Sequence, residues 1–523
     1  MEATMGSWEL LAESSEVVAV HAALLGTGEV AFYSGNEGVP AEARVWNPDT
    51  HEVYAPPNAP DTDLFCSGIA LTFDGRLFVA GGTTSYSTGP GVPWVGSKAA
   101  YLFDPAGGWE RLEDMSFGRW YPSVLCLPDG RMLVASGEGV DGARTQQIEV
   151  YDLQTGWEVL PGANRHLPLY PRLHVLPDGR IACTGLGGTT ALLDLGQATW
   201  TELGAAVDLG EAEPGLVAAG YVEDGYRFTG GDPADKNNWV NLITGKTEAQ
   251  EELEGMDVAT RSAAEGARGG RTRHSGHQSG SATRADDLCV LLDPTMGHRI
   301  LHAGGLVDGA ATNNAEIIDF ADPKPGWRTI EAMHHPRWFP NSALLPNGKL
   351  LVLGGGRLYN EDPVMESEIF DPETETWTED APMVVPRLYH SVALLLPDGR
   401  VWVAGTDGER RMEVYSPDYL DAGPRPNLSL APDAVAYGQY FEIQVDDAAD
   451  VASVCFIRLG AATHAFNTEQ RCIALEFAAT SPNTLELRAP TELAMAPAGH
   501  YMLFVMNSAG VPALAPIIQL VAV

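Results

Sequence analysis

"FDGRLFVAGG" (73–82), "PDGRMLVASG" (128–137), "PNGKLLVLGG" (346–355) and "PDGRVWVAG" (397–405) are one phrase repeated. An Asp-Gly or Asn-Gly pair is followed by an alternating apolar run and then by glycine. The pair supplies the positive φ of a tight hairpin, and the alternation has the period of a strand. Weaker copies are "GTGEVAFYSG" from 26, "PDGRIACTG" from 177 and "GHRILHAGG" from 297. A unit of about 50 residues with four strands, recurring in this way, predicts an all-β, seven-bladed Kelch-type β-propeller. The phrase "YVEDGYRFTGG" from 221 is a candidate for an eighth blade, and the polar segment 259–287 reads as an inserted loop.

The repeat ends near residue 422. Beyond it, "YFEIQV", "VCFIRLG", "TLELRA" and "YMLFVMN" are short runs separated by turn residues. They predict an immunoglobulin-like β-sandwich over 423–523, after a propeller over 1–422. The chain has 523 residues, 45% apolar, and a formal net charge of −38 from 70 acidic and 32 basic residues. That field argues against nucleic acid and anionic membrane as partners. No run is long and apolar enough to predict a membrane span. Six cysteines in so long a chain do not form a disulfide scaffold.

Residues at one offset in successive blades form a ring about the axis. Nine positions before the turn glycine stand Cys66, Tyr121, Tyr170 and Phe339. Tyr389 is ten before Gly399, read as one extra Leu in the strand, and His390 then falls where sister blades carry Pro122 and Pro340. Imidazole and phenol beside a thiol are donors that suit Cu(II). A hydrogen-bonded His with two Tyr filling the funnel mouth is the other reading of the same residues. His274 and His277, in the polar segment, and His334 and His335, at a blade entrance, read as surface residues. "GLGGTT" (185–190) reads as a turn, since no helix follows it.

Together "FCSG" (65–68), "RWYPS" (119–123), "RLYHSVALLLPDGRV" (387–401) and "THAFNTEQR" (463–471) resemble the copper radical oxidases, the galactose oxidase and glyoxal oxidase family, with the glyoxal oxidase branch closer. The resemblance implies a C-terminal early-set sandwich, one copper ion and a radical cofactor made by a Cys66–Tyr121 thioether. It implies Tyr121, Tyr389, His390 and His464 as metal ligands, with Tyr121, Cys66 and Tyr389 catalytic. The implied reaction oxidises a small aldehyde, as its hydrate, or a primary alcohol with O2, and yields hydrogen peroxide. Trp120, Trp338 and Tyr170 are candidates for packing around the radical. The first repeat starts at Gly26, so no carbohydrate-binding module is expected ahead of it, which argues against a galactose preference. The family implies export, whereas "MEATMGSWELLAESSEVV" has no signal-peptide pattern and allows a cytoplasmic chain. The rival reading is a non-catalytic propeller that binds a glycan or a protein.

Overall fold

The computed structural model describes residues 5–35, 42–87, 93–184, 190–203, 222–223, 226–228, 239–241, 284–307 and 310–522. Among the described residues, seven four-stranded antiparallel blades surround one axis. Their inner strands are His21–Leu24, Gly68–Leu71, Ser123–Cys126, Arg172–Val175, Leu288–Leu291, Asn341–Leu344 and Ser391–Leu395, for blades 1 to 7. The repeated Asp-Gly does what its chemistry requires: Gly130 has φ 86° and donates its N–H to Leu127 O at 2.9 Å. Blade 7 takes its outermost strand from the start of the chain, because Ser7–Ser14 pairs antiparallel with Arg411–Ser416. The ring is thereby closed.

The expected eighth blade does not join the ring. Strands Val222–Glu223, Tyr226–Phe228 and Trp239–Asn241 make a sheet of their own. Blade 4 packs directly on blade 5, with Leu176, Ala182 and Leu192 against Cys289, Leu291 and Ile300. Most of the segment 259–287, with His274 and His277, lies outside the described residues, as do 185–189 of the glycine-rich turn.

The blades are built on a recurrent ion pair. Arg119, Arg337 and Arg387 are fully buried and reach Glu149, Glu368 and Glu413 at 2.8, 2.9 and 3.0 Å. Each also donates to a carbonyl at the end of its own blade's second strand, at Ser136, Gly354 or Gly405. A guanidinium can be buried only with its donors matched in this way. The arginine that opens "RWYPS", "RWFPN" and "RLYHS" is therefore a fixed post from which the next residues project to the axis.

The C-terminal domain is a sandwich of four- and five-stranded sheets. Phe441, Ile443, Leu485, Phe456, Leu503 and Val505 fill the space between them. From it a hairpin, Ala461–Thr463 and Phe466–Asn467, enters the propeller and adds to the inner strand of blade 1, with His21 opposite Thr463. Blade 1 thus carries two extra strands on the axial side.

Candidate metal centre

The ring position is occupied by residues in left-handed backbone conformation. Cys66, Tyr121, Tyr170, Asp286, Phe339 and His390 have φ of 58°, 63°, 43°, 51°, 60° and 62°. Non-glycine residues seldom adopt such angles, and they persist where the surroundings hold them. Here neighbours brace one another: Tyr121 N donates to Cys66 O and Tyr170 N to Tyr121 O, both at 2.9 Å. This corrects the register read for blade 7. His390, nine before Gly399, takes the ring position, and Ser391 stands where blade 3 has Pro122. The extra residue lies in the entry segment after Arg387, not in the strand. Tyr389 is thereby displaced one step along the mouth and stacks on His390, ring centroids 3.8 Å apart.

His464 arrives from the sandwich. It and Ala465 form the two-residue turn of the axial hairpin, with φ of 49° and 60°. Two positive values in succession are the pattern of a type I′ hairpin turn. The rest of the "THAFNTEQR" motif ties the hairpin to the blades. Thr463 Oγ1 donates to Val20 O, Gln470 accepts from Leu344 N at 2.6 Å, and Arg471 donates to Val175 O at 2.6 Å. From blade 4, Arg172 donates to His464 O at 3.4 Å.

Around the axis mouth, Cys66, His390 and His464 each offer one donor atom, all within 4.8 Å of one another. Cys66 Sγ lies 3.5 Å from His464 Nε2. The Tyr121 ring is 4.8 Å from His464, and Tyr389 is 5.5 Å from it. Cys66, His390 and His464 are buried, while Tyr121 and Tyr389 are partly exposed as residues.

Both imidazoles are held by Nδ1, which leaves Nε2 turned to the site. His390 Nδ1 bonds Asp407 Oδ1 at 2.6 Å, and His464 Nδ1 bonds Thr463 Oγ1 at 2.6 Å. His390 Nε2 is buried without a hydrogen-bond partner, as a nitrogen waiting for a metal would be. Burial, with His390, His21 and Arg172 nearby, holds His464 well below the usual histidine range and therefore neutral. Burial, with the Asp63 and Asp407 charges, pushes the Cys66 thiol well up. It does the same to the Tyr389 phenol, helped by Cys66 and Asp407. Without an added cation these acids stay protonated.

Trp120 lies on Tyr121, centroids 4.0 Å apart, and Trp94 stacks on Trp120 at 4.6 Å and 3°. Tyr170 is 4.5 Å from both Tyr121 and His464, and donates its hydroxyl to Ser67 O. Trp338 sits on the other side, stacked on Phe339 at 4.9 Å. His334 and His335 bond Glu368 through their backbone N–H groups and are not among the clustered donors Cys66, His390 and His464. Sequence spacing gave no sign of Asp407, Thr463 or Trp94. Only the break of the Gly-Gly doublet into "GTDG" (405–408) marked the first of them.

A propeller whose axial mouth is completed by a histidine-tipped hairpin from a sandwich defines a class, and the comparisons place it. Residues 425–520 match the family model "Galactose oxidase-like, Early set domain", and residues 299–420 match "Glyoxal oxidase N-terminus". A galactose oxidase of Gibberella zeae is 28% identical over 486 residues, 87% of this chain and 61% of that one. The chain thus spans about three fifths of that relative's length. The aldehyde oxidase GLOX of Vitis pseudoreticulata is 25% identical over 99% of this chain and 97% of its own. A solved structure titled as a novel fungal alcohol oxidase in complex with copper has the same fold, with a TM-score of 0.74 at 22% identity over 99% of this chain and 100% of that one. In its two matched segments and along its length the chain is thus similar to proteins of the galactose oxidase and glyoxal oxidase type.

Proposed function

We propose that the protein is a copper radical oxidase that converts a small aldehyde, as its hydrate, or a primary alcohol to the acid or aldehyde. Dioxygen is the acceptor and hydrogen peroxide the second product. The observation that carries this is the convergence of Cys66, Tyr121, Tyr389, His390 and His464 at one end of the axis, from three blades and the sandwich, with His390 Nε2 left without a partner. The donor set fits copper: two imidazoles and two phenols are borderline N and O ligands. His390, His464, Tyr121 and Tyr389 would hold the ion. Bound there, copper would supply a one-electron couple and a positive charge that lowers the pKa of a neighbouring phenol.

The protein's residues supply the rest. Tyr389, partly exposed, takes the proton of the substrate hydroxyl. Cys66 and Tyr121, joined by loss of two hydrogens to dioxygen, which leaves as hydrogen peroxide, form a thioether-substituted phenol able to store the second oxidising equivalent. That phenoxyl accepts the hydrogen atom from the substrate carbon. Trp120, backed by Trp94, covers one face of the Tyr121 ring. The balance is RCH2OH + O2 giving RCHO + H2O2, or RCH(OH)2 + O2 giving RCOOH + H2O2. An aldehyde is taken as the first substrate to test because the similarity to the aldehyde oxidase extends over 99% of this chain and 97% of that one.

A second reading follows from Cys66 Sγ standing among the imidazole nitrogens: a thiolate that binds copper directly, without the cross-link. One sample separates the two. Protein loaded with Cu(II) in air and treated with a mild one-electron oxidant is examined by peptide mass and by absorption. Linked Cys66 and Tyr121 peptides lighter by two hydrogens, with a broad visible to near-infrared band and peroxide release from aldehydes, are expected. Bound copper with unlinked peptides would overturn the radical mechanism.

A further inference from the structure

The two imidazoles of the site lean on unequal supports. His464 donates its Nδ1 proton to a hydroxyl, Thr463 Oγ1, buried and itself engaged with Val20 O. His390 donates to a carboxylate, Asp407 Oδ1, at 2.6 Å. The other oxygen, Asp407 Oδ2, accepts from Asn360 Nδ2 at 3.0 Å. Asn360 belongs to blade 6, at the turn between Gly356–Leu358 and Glu361–Pro363, so the blade 7 ligand is braced from its neighbour.

The loop that carries Asp407 is shaped at a cost. In blades 2, 5 and 6 the second strand ends in a glycine doublet with positive φ at both members: Gly81 and Gly82, Gly304 and Gly305, Gly354 and Gly355. Blade 7 has Gly405 followed by Thr406, a β-branched residue at φ 97°. Such a residue in that region is an outlier held by its surroundings, and outliers gather where function needs them. The surroundings are visible: Thr406 N donates to His390 O at 2.9 Å and Thr406 Oγ1 accepts from Leu388 N at 2.8 Å. Thr406 fixes the backbone of His390 and its successor fixes the ring.

We infer that Asp407, steadied by Asn360 and by the strained Thr406, is a positioning residue for the metal. It selects the tautomer with Nε2 free, aims that nitrogen at the site and makes His390 the stronger electron donor of the two imidazoles. A carboxylate behind a metal-bound histidine has this effect in general, and its loss costs about 10- to 100-fold in metal affinity. The inference rests on the copper reading above.

The test compares wild type with Asp407→Ala, Asp407→Asn, Asp407→Glu and Asn360→Ala by Cu(II) affinity in competition with a chelator and by the Cu(II) electron paramagnetic resonance spectrum. Asp407→Asn keeps an acceptor for Nδ1–H and removes only the charge, in a loop where Asp407 is half exposed, so its folding should not suffer. Asp407→Ala should bind Cu(II) about 10- to 100-fold more weakly with a changed copper hyperfine splitting. Asp407→Asn should fall between it and wild type, Asp407→Glu should recover part of the affinity, and Asn360→Ala should shift the spectrum in the same sense. Wild-type affinity and spectrum in Asp407→Ala would overturn the role of Asp407 and leave the oxidase reading intact. A wild-type chain that binds no Cu(II) would overturn both.

Discussion

His390 and His464 come from opposite ends of the construction, one from the first residues of a blade and one from a turn in another domain, yet each presents the same nitrogen. Replacing either with Ala should abolish stoichiometric Cu(II) binding, read by metal analysis after dialysis, while the metal-free fold persists. Cys66→Ser should keep copper and lose both the two-hydrogen mass change and the near-infrared band. Trp94→Ala leaves Cys66, Tyr121 and both histidines in place and uncovers one face of Trp120, so its radical band should form and then decay faster than that of wild type. The convergence of Cys66 and Tyr121 was legible from spacing, since the blades repeat by rotation, and His464 entered only through the resemblance carried by "THAFNTEQR". The exchange of Tyr389 and His390 at the ring position was not. One surplus residue can be placed on either side of a strand's start, and only the φ of 62° at His390 decides between them.

Among the elements, the buried Arg–Glu pairs illustrate what sequence conceals. The arginine of "RLYHS" is plain in the repeat, but Glu413 lies two strands later and looks like any acidic residue in so acidic a chain. Glu413→Gln leaves an uncompensated guanidinium in the core, and unfolding by denaturant should show a loss of about 3–5 kcal/mol. A second buried network joins blades 4 and 5. His302 bonds Asp287 through Nδ1 and Thr184 Oγ1 through Nε2, and His174 Nε2 lies 3.2 Å from Cys289 Sγ. Burial would lower the His302 pKa, but the Asp287 and Cys289 charges prevail and raise it to about 10. A group whose folded pKa is raised stabilises fully below its unfolded value and ceases to do so as pH climbs through the folded one. The stability advantage of wild type over His302→Gln should therefore be greatest below about pH 6.5 and shrink toward pH 10, as followed by urea titration across that range.

At the scale of the molecule, the repeats pointed to the ring and left its blades at seven or eight, because Asp-Gly turns and alternation are local chemistry whereas strand pairing is not. What closes the ring is not local. Trp8 donates Nε1–H to Ala381 O and Trp46 donates to Glu13, so the strand Ser7–Ser14 latches two blades at once. Deleting it should lower and broaden the thermal transition seen by calorimetry and open the Ser391–Leu395 sheet to proteolysis. The hairpin that bears His464 has a consequence for biosynthesis. Every strand of the ring is made before it on the ribosome, and only afterwards can the sandwich send the turn down the axis. A nascent ring holds the thiol and the phenols without the second imidazole. If the copper reading holds, the ligand set of the site is therefore completed only after the last strand of the ring has been made.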